Sequence, residues 1–166
     1  MSFSSILRGL KEEHVRFVVI GGLAAAAHGS RRITDDVDIC YDASSANLKR
    51  LSALLASWNA YPRGIVAGLP FFMDERQFKV TPLMTLTTSE GMVDVLDIVK
   101  GVGDYEKCRQ HSQEVVAFDL KFRVLDLPSL IEAKRAAGRP RDLDHLAELE
   151  ALLALKQSQQ RSGSTP

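Results

Sequence analysis

Residues 17–42 read FVVIGGLAAAAHGSRRITDDVDICYD, from Phe17 to Asp42. The β-branched and aromatic run Phe17-Val18-Val19-Ile20 ends at Gly21-Gly22 and passes into Leu23-Ala24-Ala25-Ala26-Ala27. That order predicts a buried strand, a glycine turn and the first turns of a helix. A second strand is expected at Asp36-Val37-Asp38-Ile39-Cys40-Tyr41. Side chains alternate along a strand, so Asp36 and Asp38 share one face while Val37 and Ile39 point into the core. Two carboxylates side by side on a rigid strand repel each other, and a cation normally sits between them. A divalent metal is the obvious candidate.

Outward from this stretch, Ser4 to Glu13 carries Ile6, Leu7 and Leu10 on one side and predicts a short amphipathic helix. A helix capped by Ser44 or Ser45 is expected to end near Trp58, with Leu48, Leu51, Leu54 and Leu55 covering one face of the sheet. From Asn59 to Thr81 prolines and glycines interrupt short apolar pieces and no period emerges; Leu69-Pro70-Phe71-Phe72 either packs on the sheet, the reading favoured here, or lines the site. Leu83 to Thr88 and Met92 to Val99 read as two strands joined by a turn at Ser89-Glu90-Gly91. Asp104 to His111 predicts a short helix, followed by a hairpin of Val115–Phe118 and Phe122–Leu125 around Asp119-Leu120-Lys121. Asp126 caps the next helix, which stops at Gly138, and Pro140 helps to start the last, running to about Leu155. Together these elements predict an α/β (α+β) fold: a small mixed sheet flanked by helices, with C-terminal helices. Residues 1–156 are expected to form a single domain, and 157–166, rich in serine, glutamine and glycine, a disordered tail.

Four segments, in register over residues 15–150, resemble the polymerase-β-type nucleotidyltransferase superfamily. They are the Gly21-Gly22 turn, the Arg32-x-Thr34-x-Asp36-x-Asp38 run, Thr88-Ser89-Glu90-Gly91-Met92-Val93-Asp94, and the lysine helix and basic turn of LIEAKRAAGRPRDL from Leu130 to Leu143. With His28-Gly29 between the first two, the pattern is most similar to the bacterial branch of AbiEii-like abortive-infection toxins. One Asp-x-Asp alone is weak; four segments in order are strong. The resemblance implies a nucleotidyltransferase-like fold and a catalytic, metal-binding set of Asp36, Asp38 and Asp94. The implied cofactor is magnesium, with manganese as a substitute. It also implies that the Gly21-Gly22 turn binds a nucleoside triphosphate, where bare glycine and a helix N-terminus suit phosphate. Read alone, a Gly-Gly pair is more often a tight turn.

The remaining candidates divide by chemistry. Asp94 and Asp97 lie three apart and face opposite sides of their strand, so only one can join the acids, and Asp94 matches the motif. Thr34 either bonds backbone or orients Asp36, and Arg32 either pairs with the acids or binds phosphate. Lys134 is a point charge for phosphate or, without the resemblance, a snorkelling surface residue. Arg139, Arg141 and Asp142 are expected to fix the turn between the last helices, with Arg139 a further phosphate candidate. His28 reads as packed or hydrogen-bonded rather than as a catalytic base.

Composition sets the outer bounds. The chain has 166 residues, 45% hydrophobic, with 21 basic against 21 acidic side chains, so bulk charge does not mark a nucleic-acid coat. Two cysteines make no disulfide framework and fit a reducing cytoplasm. No apolar run is long enough to span a membrane and nothing marks export. The expected activity is transfer of a nucleoside monophosphate from a triphosphate to a hydroxyl of an RNA, a protein or a small molecule, and the resemblance adds a toxin–antitoxin pair as its setting. The alternatives are a catalytically weak nucleotide-binding or regulatory module, or a component acting through a partner protein. Longer relatives of this branch surround the acceptor with a larger C-terminal region, so an antitoxin partner or a homodimer is expected to assist recognition.

Overall fold

The computed structural model describes residues 2–66 and 68–162, with only the backbone of Arg141. Helix α1 (Phe3–Glu12) buries Ile6, Leu7 and Leu10 and is capped by Ser2. It feeds β1 (Phe17–Ile20), buried at every position as a central strand requires. Helix α2 (Gly21–Ala27) follows without a linker, then β2 (Asp36–Tyr41) and α3 (Ser45–Ser57). A two-residue strand β3 (Tyr61–Pro62) and a helix α4 (Glu75–Val80) precede the hairpin of β4 (Leu83–Thr87) and β5 (Met92–Leu96). A small ribbon, β6 (Ile98–Val99) with β7 (Gly103–Asp104), leads to α5 (Tyr105–Gln110). The hairpin β8 (Ser112–Ala117) and β9 (Leu120–Leu125) comes next. Helix α6 (Leu127–Ala137), a 3₁₀ turn at Pro140–Asp142 and helix α7 (Leu143–Ser162) complete the described chain.

Seven strands form one mixed sheet in the order β3-β4-β5-β2-β1-β9-β8. The β2–β5 and β1–β9 pairs are parallel and the others antiparallel. This is the expected α/β architecture, a mixed sheet flanked by helices with helices at the C-terminal end. Its core joins the sheet to α1, α3 and α6 through Leu7, Leu10, Leu51, Leu55, Leu130 and Ile131.

The fold departs from the sequence pattern at several places. The stretch Met92–Val99 is two strands: pairing with β4 stops at Leu96, and Ile98 and Val99 turn to Asp104 and Gly103 instead. The late hairpin turns at Phe118-Asp119, both at positive φ (55° and 58°), so its strands reach to Ala117 and from Leu120. That is the two-residue geometry whose twist suits a hairpin. Leu69-Pro70-Phe71-Phe72 does not pack on the sheet: Leu69 is 57% and Phe72 76% exposed. The neighbouring edge strand is only two residues long and offers little face to cover, and only Phe71 of these residues reaches a ring, that of Tyr61. Residues 157–162 continue helix α7 rather than forming a disordered tail. Each residue added to an existing helix gains a hydrogen bond without repeating the nucleation cost. Residues 163–166 lie outside the described residues.

The β1–β2 pair is pinned at one end by a buried amide. Asn47 Oδ1 accepts from the Arg16 backbone N–H at 2.6 Å, and its Nδ2 donates to the carbonyls of Arg16 at 3.1 Å and Asp42 at 2.8 Å. The residue before β1 and the residue after β2 are thereby joined to α3. Asn47→Ala leaves those backbone groups without their partner in a site that is 1% exposed. We expect it to cost about 3 kcal/mol in urea unfolding, whereas Asn59→Ala, at a helix end, should cost less. Equal losses would remove this pinning role.

Candidate functional site

The parallel register of β2 and β5 sets Asp38 opposite Asp94 and Asp36 opposite Met92. The three carboxylates converge, with one oxygen from each of Asp36, Asp38 and Asp94 within 4.8 Å of the others. Local chemistry fixes the hairpin that carries Asp94. The Thr88 hydroxyl accepts from the N–H groups of Glu90 and Gly91, both at 3.1 Å, and closes the turn between β4 and β5. That hairpin delivers Asp94 to its place. Asp97 lies beyond β5 and is not among the clustered acids.

The glycine turn is shaped by the same acids. Gly21 sits at φ +60°, and a Cβ there would lie 2.1 Å from Asp38 Oδ2. A Cβ on Gly22 would meet the Thr34 side chain at 2.6 Å. The turn is therefore a close approach of backbone to carboxylate that no side chain allows. The Gly22 N–H faces Asp38 Oδ2 at 3.4 Å, and the Thr34 hydroxyl donates to Asp36 Oδ1 at 2.9 Å. Thr34 thus orients Asp36.

A residue that the sequence did not single out occupies the middle. Arg63, just after β3, lays its guanidinium between two of the acids: Nη1 lies 3.5 Å from Asp36 Oδ2, and Nη2 contacts Asp94 Oδ1. A lone arginine after Tyr61-Pro62 in a stretch without periodicity carries no signal for this. It depends on where β3 pairs with β4, its backbone N–H bonding the Thr85 carbonyl at 2.9 Å.

Basic groups from the C-terminal helices close the other side. Lys134 Nζ lies 3.4 Å from Asp142 Oδ1 and Arg139 Nε donates to Asp142 Oδ2 at 2.7 Å. Lys134 is 14% exposed, so it is turned inward rather than snorkelling. Burial pushes the Asp142 carboxyl up, but the Arg139 hydrogen bond and the Lys134 and Arg139 charges outweigh it and hold Asp142 below the usual range. His145, 5% exposed, bonds Ser30 Oγ at 3.2 Å, and burial and the nearby Lys134 and Arg32 charges push its pKa down.

All nine residues singled out from the sequence border one cleft of about 480 Å³: Gly21, Gly22, Arg32, Thr34, Asp36, Asp38, Asp94, Lys134 and Arg139. Arg63, Met92, Asp142 and His145 border it too. A second cavity of about 380 Å³ shares Gly21, Asp38, Asp94, Lys134 and Arg139 but is otherwise largely apolar, with Ile20, Leu83, Leu125 and Leu130 on its walls. His28 lies elsewhere: it is buried, its Nε2 bonding the Leu125 carbonyl at 2.8 Å, and burial lowers its pKa.

Three carboxylate oxygens this close form a hard donor set of the kind that divalent cations take. The acids already draw a cation, the guanidinium of Arg63, so the residues fit a divalent metal.

The sheet and its helices define a nucleotidyltransferase-like fold. Three solved structures share it: a proposed nucleotidyltransferase from Thermotoga maritima, 19% identical, TM-score 0.55, covering 89% of this chain and 94% of that one; the antibiotic-resistance factor ANT(2'')-Ia, 15% identical, TM-score 0.55, covering 95% and 90%; and an antigenic nucleotidyltransferase-like protein from Paracoccidioides brasiliensis, 16% identical, TM-score 0.53, covering 92% and 73%. No protein-family model and no curated protein sequence matches the chain. Among the described residues no helix is long and apolar enough to cross a membrane.

Burial, and then the Asp36 charge, push Asp38 up from 3.8 to about 6, against the Gly22 N–H and the Lys134 and Arg63 charges. A carboxyl raised by folding favours the protonated state, so its contribution is full below pH 3.8 and is lost as pH rises to about 6. Metal-free Asp38→Asn should lack that loss and exceed wild type by about 3 kcal/mol at pH 7.5. Chemical denaturation in a chelator from pH 4 to pH 8 reads this out; parallel pH profiles would show that Asp38 is not strained.

Proposed function

We propose that this protein is a magnesium-dependent nucleotidyltransferase, with manganese as a substitute, which moves a nucleoside monophosphate from a triphosphate to a hydroxyl of an RNA, a protein or a small molecule. The observation that carries this reading is the convergence of Asp36, Asp38 and Asp94 within 4.8 Å beside the Gly21-Gly22 turn. In the reaction the acceptor oxygen bonds to the α-phosphorus as the bond to the pyrophosphate oxygen breaks. A metal pair held by the three carboxylates would assist both the attacking and the leaving oxygen.

The chain's own groups divide the remaining work. Asp36, Asp38 and Asp94 would together hold the ions. Thr34 keeps Asp36 in its orientation through the 2.9 Å hydrogen bond. The Gly21-Gly22 backbone, Arg32, Lys134 and Arg139 border the same cleft and supply positive charge and close approach for phosphates. The apolar cavity that shares Asp38 and Asp94 offers a surface for a part of the substrate that carries no phosphate. The AbiEii-like branch, a toxin–antitoxin setting, an antitoxin partner or a homodimer, a cytoplasmic location and a single domain over residues 1–156 complete the proposal. These rest on the motif resemblance and composition.

A second reading, a nucleotide-binding or regulatory module with weak turnover, is favoured by one observation: Arg63 already neutralises part of the acid cluster.

The decisive assay incubates the pure protein with each α-labelled triphosphate, magnesium or manganese, and cellular RNA or lysate protein. Asp38→Asn should lower transfer about 10²–10³-fold or more while the fold survives. Asp97→Asn should leave transfer nearly unchanged, and Lys134→Ala should weaken triphosphate binding about tenfold. Tight triphosphate binding without transfer to any acceptor favours the module. Equal losses in Asp38→Asn and Asp97→Asn sink the assignment of the acids.

A further inference from the structure

Arg63 has the geometry of a counter-ion that can be exchanged. Its guanidinium takes Asp36 Oδ2 with one nitrogen and Asp94 Oδ1 with another, and those two residues belong to the oxygen set that a divalent ion would use. Nη1 also lies 3.4 Å from the Met92 sulfur, a weak acceptor, and the Nε–H is buried with no hydrogen-bond partner among the described residues. The side chain is therefore held mainly by charge and not by a complete set of hydrogen bonds. Its tether is slight: β3 is two residues long, and Gly64 follows at φ +78° with open space around its Cα. The backbone can thus stay paired to Thr85 while the side chain turns between the acids and the cleft that it also borders.

We propose that Arg63 occupies the metal's place between Asp36 and Asp94 and gives it up when a nucleoside triphosphate supplies a new anionic partner, so that metal binding depends on nucleotide binding. This rests on the metal-dependent reading above and adds a residue and an order of loading to it. A guanidinium and a divalent cation cannot both sit against the same carboxylate oxygens, so a metal arriving alone must displace an ion pair. A triphosphate changes the balance, because its oxygens match the guanidinium fork and can take the arginine in exchange. The cleft then gains metal and phosphate together without leaving either Arg63 or the acids unpaired.

The test measures Mn²⁺ affinity by electron paramagnetic resonance, without nucleotide, in wild type, Arg63→Gln and Arg63→Lys, with circular dichroism to confirm folding. Arg63→Gln should bind Mn²⁺ about tenfold more tightly than wild type, a gain of one decade in affinity. Arg63→Lys keeps one charge but cannot span two carboxylates, so it should gain less; it decides the matter if Arg63→Gln does not fold, a lack of gain then overturning the inference. In parallel, Mn²⁺ alone should raise the melting temperature of Arg63→Gln clearly and that of wild type little, while Mn²⁺ with α,β-methylene-ATP should raise both. Wild type responding to Mn²⁺ only with α,β-methylene-ATP, together with a variant affinity equal to or weaker than that of wild type, would show a fixed structural ion pair and sink this inference alone. No Mn²⁺ binding in any protein, with or without nucleotide, would overturn it together with the metal-dependent reading.

Discussion

Mutual repulsion among three carboxylates is the constraint around which the molecule is arranged. Asp36 and Asp38 are neighbours on one face of β2, and the parallel register of β5 brings Asp94 directly opposite Asp38. Strand geometry, not side-chain preference, enforces this crowding, because each acid follows from the period of its strand and the register of the pair. A core of Val37, Ile39, Val93 and Val95 on the opposite face holds that register against the repulsion. Slipping by one residue would turn those valines and isoleucine outward.

The surroundings answer the charge in layers. Arg63 lies among the acids themselves, while Lys134 and Arg139 stand farther off and share Asp142 between them. Asp142 therefore keeps two cations in place at the cleft without adding a fourth acid to the cluster. The glycines serve the same end by a different means. With no Cβ, Gly21 lets the backbone reach Asp38, and the bare Cα of Gly22 leaves room for Thr34 to reach Asp36. Turn, acids and helix-borne cations are thus one arrangement, assembled from five separate stretches of chain around residues 21–22, 34–38, 63, 94 and 134–142.

Solved structures with identities of 15–19% share this fold over 89–95% of the chain, so the architecture tolerates replacement of most of its side chains. The same physics explains which sequence readings held locally. Helix α1, the caps at Asp126 and Gly138, and the burial of alternate residues along β2 and β5 depend on interactions a few residues apart. The stretch 59–81 resisted reading because its order comes from elsewhere. Its strand exists only by pairing with β4, and Leu69 and Phe72 remain exposed although their chemistry suggested burial.

From the sequence alone came the strand–turn–helix at residues 17–27, the shared face of Asp36 and Asp38, and the opposite facing of Asp94 and Asp97, since backbone periodicity decides each of these within a few residues. The motif resemblance chose Asp94 over Asp97 and singled out Lys134 and Arg139, which border the same cleft. Only the tertiary structure decided that Arg63 lies among the acids, that Lys134 turns inward to Asp142, and that an apolar cavity adjoins the carboxylates. These depend on which strand lies beside which and on how the last helices fold back over the sheet. Such long-range pairings leave no period in the chain, because a side chain's partner across a sheet is set by register and not by its neighbours in sequence.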